Sequence, residues 1–165
     1  MSKKSRLIRT AYPYLEEADQ SLFQYAEAIY DIKPHWLNDG KISSYNKTPF
    51  LEIEFISSHK PDKKRLQLIF DHRITVYFLA RHVHFYASDV ERKNNTLRIT
   101  EPLKRAISYT QDVFQENLVF GYIRGSDSTE FSTIFEFPPS EIEHYFETGK
   151  IDTVVSWLGN YDQTR

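Results

Sequence analysis

The chain has 165 residues, no cysteine, five glycines and a formal net charge of −2. That length suffices for one independent core. The missing cysteines exclude disulfides, thiol catalysis and Cys-ligated zinc, and the few glycines argue against a phosphate-cradling loop or a dinucleotide fingerprint.

Residues 1–11 read as a basic leader, with Lys3, Lys4, Arg6 and Arg9 and no apolar run long enough for a signal peptide or a membrane span. Residues 12–165 read as a single domain of a soluble, cytoplasmic protein. Leu15, Ala18, Leu22, Tyr25, Ala26 and Ile29 recur at helical spacing and predict a helix over roughly 14–31, which Pro34 ends. His35 to Gly40 reads as a turn with the Trp36 ring folded under it, and 41–49 as a polar connection.

Leu51, Ile53 and Phe55 alternate with Glu52 and Glu54, which predicts a half-buried strand. A second strand begins at Leu66, Leu68 and Phe70, with Asp71-His72-Arg73 as its turn. Ile74, Val76 and Phe78 continue the pattern, and Val83 and Phe85 carry it in the opposite phase, so a break falls near Arg81-His82. After a polar stretch and a short strand at 96–100, Pro102 opens a helix running to about 116 with Leu103, Ala106, Ile107, Thr110 and Val113 inward. Residues 118–124 and 129–137 form a hairpin across Gly125. Pro138-Pro139 then leads into C-terminal helices, Ile142, Tyr145 and Phe146 on one and Ile151, Val154, Val155 and Leu158 on another, with Gly149 between. The fold class is α+β, an antiparallel meander sheet of about five or six strands packed with an N-terminal, a central and C-terminal helices.

Charge is sorted along the chain. Residues 1–105 hold 18 Lys and Arg against 13 Asp and Glu, whereas residues 106–165 hold 3 against 10. Glu130, Glu136, Glu141, Glu143, Glu147 and Asp152 gather near Tyr145 and Tyr161, mixing negative charge that steers a basic partner with rings that anchor it. These eight residues are the candidate partner-binding site.

Three other chemistries have partial support in the sequence. His82-Val83-His84 places two imidazoles on one strand face, to which His72, Asp89 or Glu91 could add a ligand for a metal-dependent hydrolase or nuclease. Asp62 followed by Glu91 and Lys93 mimics the spacing of a restriction-type nuclease core, but both segments read as turns. Lys60, Lys63, Lys64 and Arg65, with Arg92, Lys93, Arg98, Lys104 and Arg105 and the rings of Tyr77 and Tyr86, offer the pieces of a single-stranded nucleic-acid binder. No serine elbow or phosphate loop is present. The expectation is therefore a non-catalytic protein without a cofactor, its partner another protein rather than membrane, nucleic acid or small molecule.

The layout of 36–86 and 138–158 resembles the immunity proteins of contact-dependent growth inhibition systems. The resemblance rests on Trp36-Leu37 before Asp39-Gly40, on Asn46-Lys47-Thr48 before an aromatic-rich run of strands, and on Pro139 to Ile142 leading to Trp157. It covers about half of the chain. It implies an antitoxin that binds a cognate toxin domain, often a basic nuclease, and blocks its active site or substrate path.

Overall fold

The structure, a computed structural model, describes residues 2–11, 20–60, 62–86, 99–124 and 131–165. The elements in chain order are α1 (Lys3–Ala11), α2 (Gln20–Ile32), a 3-10 turn (Pro34–Asp39), β1 (Gly40–Tyr45), β2 (Thr48–Ile56), β3 (Arg65–Phe70), β4 (Ile74–Phe78) and β5 (Arg81–Phe85). They continue with α3 (Thr100–Phe114), β6 (Val119–Arg124), β7 (Phe131–Phe137), a 3-10 turn (Pro139–Glu141), α4 (Ile142–Glu147), β8 (Thr153–Val155) and β9 (Gln163–Thr164). The fold is α+β, with one sheet ordered β1-β2-β3-β4-β5 and a second ordered β7-β6-β8-β9. The chain forms two compact units, one of residues 1–55, 66–78 and 82–107, the other of 56–65, 79–81 and 108–165.

In the first unit the basic leader is a helix rather than a loose tail. Ser2 Oγ accepts the Ser5 amide at 3.0 Å and so caps α1. Ile8 is buried, Lys4 pairs with Asp31 at 2.8 Å, and Ser5 donates to Glu27 at 3.1 Å. An apolar residue between cations was enough to give the helix a side to bury. Leu22, Tyr25, Ala26 and Ile29 are the buried stripe of α2, and the first residues of the predicted helix, 14–19, lie outside the described residues. Pro34 opens the 3-10 turn that carries Trp36 edge-on to Phe55, ring centres 5.1 Å apart.

The five strands follow one another as a meander, because each connection is short enough only for neighbours to pair. The polar stretch 41–49 is itself a strand and a turn. Asn46 and Lys47 both take positive φ, 49° and 66°, and join Tyr45 to Thr48 in a two-residue hairpin loop. Leu51, Ile53, Leu66, Leu68, Phe70, Ile74, Val76 and Phe78 are all buried, and Tyr25 packs on Phe70 at 5.3 Å. The alternate residues form the other face, where Lys41 faces Glu52 and Gln67 faces Tyr77 across the ladder. The phase change between β4 and β5 is a tight turn entered at Leu79, whose φ is 56°.

In the second unit, α3 contributes from Ser108 onward. Alternation along β6, β7 and β8 sends Val119, Phe137 and Val154 to one face, where they bury with Ile142, Phe146 and Ile151. Gly121 lies in the same layer, and a Cβ there would stand 2.8 Å from both Ile151 and Phe137. A glycine is what lets the α4–β8 connection approach so closely. The other face carries Glu136, which accepts the Tyr109 hydroxyl of α3 at 2.6 Å. The predicted second C-terminal helix is absent. Residues 151–158 instead supply β8, whose Thr153-Val154-Val155 run pairs with β6, so β-branched side chains and sheet pairing override the helical spacing. Of the short strand expected at 96–100, residues 96–98 lie outside the described residues, Ile99 is in a turn and Thr100 already belongs to α3.

Candidate functional site

The acidic aromatic region is built on β7, the 3-10 turn and α4. Pro139 sits at the first position of that turn, where its missing N–H costs nothing. α4 stops at Gly149, φ 64°. The Lys150 amide donates to the Tyr145 carbonyl and the Gly149 amide to that of Phe146, both at 3.0 Å, the paired bonds of a Schellman cap. This short helix buries Ile142 and Phe146, which leaves Glu141, Glu143 and Glu147 exposed and Tyr145 half-buried.

Tyr145 lies flat on Phe137, ring centres 4.4 Å apart and 15° between planes, with Phe135 at 6.4 Å. Lys150 Nζ stands 5.5 Å from the centre of the Tyr145 ring. Phe135 is itself 37% exposed. Two rings thus reach the surface on a buried third, and the turn and helix that carry Tyr145 also carry the exposed carboxylates of Glu141, Glu143 and Glu147. Glu143 is paired with Arg165, whose guanidinium also lies 4.4 Å over the Phe146 ring.

The other candidates are placed differently. Glu130 lies outside the described residues. Glu136 points to the opposite face of β7, where it holds Tyr109 and accepts from Arg81 at 3.4 Å. Burial, and then that bond to Glu136, raise the Tyr109 hydroxyl well above its ordinary range. Asp152 is half-buried; it accepts from Thr153 Oγ1 at 2.8 Å, and its carbonyl accepts the Arg165 amide at 2.9 Å. Tyr161 is 38% exposed on the turn after β8.

Sequence reasoning missed what holds that turn. Lys64, 1% exposed, donates to the Ser156 carbonyl and, at 2.9 Å, to each of the two Asp162 carboxylate oxygens. Burial alone would raise the Asp162 carboxyl, but the bonds from Lys64, the Ser156 amide and Lys60 outweigh it and hold the group at about 2. Ser57 donates to the Trp157 carbonyl at 2.6 Å, and Glu116 accepts the Leu158 amide at 2.7 Å and the Asn160 side chain. Burial opposes ionisation of Glu116, yet these donors keep it below the ordinary glutamate value. Gly159, φ 86°, fits against the His59 ring, which a Cβ would meet at 2.5 Å. No local pattern announces pairings about a hundred residues apart; the only hint was a lysine-rich turn in a chain whose later part is acidic.

The chain matches no protein family, no curated protein and no solved structure.

The geometry also bears on the other chemistries. His82 and His84 lie together, ring centres 4.9 Å apart, between Tyr77 and Tyr86. His72 turns to Asp71 at 3.3 Å and is 74% exposed, and among the described residues no three His, Asp or Glu side chains assemble as a metal-holding group. Partial burial, then the charges of Arg73 and His82, lower the His84 imidazole below its ordinary value and so favour its neutral form. Asp62 is exposed in its turn, while Asp89, Glu91, Arg92, Lys93 and Arg98 lie outside the described residues. In the basic turn Lys64 is buried and Lys60 is paired with Asp162 at 3.0 Å, which removes two of its four cations from a simple phosphate-binding role. Among the described residues no helix is long and apolar enough to cross a membrane.

Proposed function

We propose that the chain is a non-catalytic binding protein, an immunity protein that acts in the cytoplasm and neutralises a toxin domain with a basic surface. The observation that carries this reading is the Tyr145 ring seated flat on Phe137 beside exposed Phe135, on a segment that also exposes Glu141, Glu143 and Glu147. A rigid aromatic anchor within a charged rim is the anatomy of an interface hot spot, in which the rings supply affinity and the carboxylates supply steering and register. Glu136 and Asp152 act in this reading as supports of the surface, and Tyr161 as a contact at its margin.

The test is capture of the product of the gene directly upstream, which this reading expects to carry a toxin domain. Reversing Glu141, Glu143 and Glu147 to Lys weakens capture at least tenfold, and Tyr145→Ala costs about 2 kcal/mol or more of binding energy, about thirtyfold. Capture at wild-type strength by both variants, each with an unchanged circular-dichroism spectrum, removes the site assignment. A neighbouring gene product whose toxicity persists on co-expression removes the function.

A further inference from the structure

β4 and β5 bring together side chains that the acidic surface does not use. His82 and His84 are two positions apart on β5, so their rings share one face of the strand. Their centres stand 4.9 Å apart with 52° between planes. Two imidazoles bound to one tetrahedral ion through bonds of about 2.0–2.1 Å have ring centres about 5 Å apart. The ring separation of the pair is therefore one that chelation of a single ion requires.

Neighbouring groups hold it there. Tyr77 lies 5.5 Å from the His82 ring and Tyr86 5.9 Å from the His84 ring, and the Tyr86 hydroxyl accepts from Arg73 at 3.1 Å. Buried Thr75 places its hydroxyl 3.0 Å from His84 Nδ1. With Thr75 as acceptor, Nδ1 keeps the proton and Nε2 carries the free lone pair. Such a contact fixes the tautomer and ring angle of a metal-bound histidine. His82 is exposed, which gives an ion access and lets water fill its remaining positions.

We propose that His82 and His84 form a two-imidazole site for a borderline divalent transition-metal ion, Zn²⁺, Ni²⁺ or Cu²⁺, completed by water. Nitrogen donors select these ions over Mg²⁺ and Ca²⁺, which require oxygen. His72, turned onto Asp71, is outside the site. Thr75 is a positioning residue that acts through His84.

The test is calorimetric titration of the tag-free full chain with Zn²⁺ and with Ni²⁺, against Mg²⁺. One ion binds per chain with micromolar affinity, and Mg²⁺ gives no heat. His82→Gln and His84→Gln each weaken binding at least tenfold, Thr75→Val weakens it by about tenfold, and His72→Ala leaves it unchanged. Metal-free melting curves coincident with wild type show that each variant is folded; His82→Ala and His84→Ala replace any Gln variant that melts lower. No saturable binding, or undiminished binding in the double His82/His84 variant, overturns the proposal. A loss on His72→Ala equal to that on His84→Gln overturns the two-ligand assignment.

Discussion

Lys64 sets the energetic stakes at the scale of single residues. A buried ammonium is tolerated only while its donors are matched, here by the Ser156 carbonyl and the Asp162 carboxylate. Asp162→Asn leaves the cation in place without its counter-charge and costs about 3–5 kcal/mol. Lys64→Met removes the cation, and Asp162 retains the Ser156 amide, Lys60 and some water, so that variant loses less than half as much. Urea unfolding of the two variants reads that order. Acid exposes the same pair. The Asp162 carboxyl sits at about 2 in the fold against an ordinary 3.8. Between those values the unfolded chain binds a proton that the folded chain refuses, so this contribution is complete above about pH 4 and is lost as the pH falls toward 2. Over that interval the wild-type urea midpoint drops further than that of Asp162→Asn; parallel curves would show that the pair does not set acid stability. Gly159→Ala is expected to cost about 1–3 kcal/mol, since it adds a positive-φ penalty to a collision with the His59 ring.

At the scale of elements, the β1–β2 hairpin has room to improve. Lys47 holds a φ of 66° that glycine adopts without strain, so Lys47→Gly raises stability by about 0.5–1 kcal/mol in thermal or urea melts. Gly121→Ala goes the other way, because its methyl group meets Ile151 and Phe137; a loss of about 1–3 kcal/mol is expected. The elements most legible in the sequence were those with a clean period. Leu51-Ile53-Phe55 and Leu66-Leu68-Phe70 could only be strands with one buried side, and the Leu103–Val113 spacing marked α3 within two residues of its end. The hidden ones lacked such a period. β1 has a single aliphatic residue, Ile42, among Gly40, Lys41, Ser43, Ser44 and Tyr45, and β8 is three residues whose neighbours, Ile151 and Leu158, happen to fall at helical steps. For the candidate site, the carboxylates of α4 were readable because they share one helical element with Tyr145. The inward turn of Glu136 was not, since it depends on which face of β7 meets Tyr109.

Across the whole molecule the charge sorting is softer in space than along the chain. Folding places residues 56–65 and 79–81 in the same compact unit as 108–165, so that unit carries 8 Lys and Arg against 11 Asp and Glu. Lys60, Lys64 and Arg81 are spent on Asp162 and Glu136, whereas the carboxylates of Glu141 and Glu147 stay exposed. Capture of a basic partner should therefore slow as ionic strength rises from 0.05 to 0.5 M, by roughly tenfold or more in the association rate, with the dissociation rate nearly constant. Stopped-flow or surface-based kinetics separate the two, and a salt effect confined to dissociation would speak against steering. The Lys64–Asp162 pair also imposes an order in time. The cation is synthesised 98 residues before its counter-ion. At about 5–20 residues per second, synthesis of the lysine precedes that of the carboxylate by roughly 5–20 s. Until then the turn of residues 56–65 has no place to settle. A chain truncated ahead of Asp162 should leave this turn open to proteases, and the released chain that includes Asp162 should close them out.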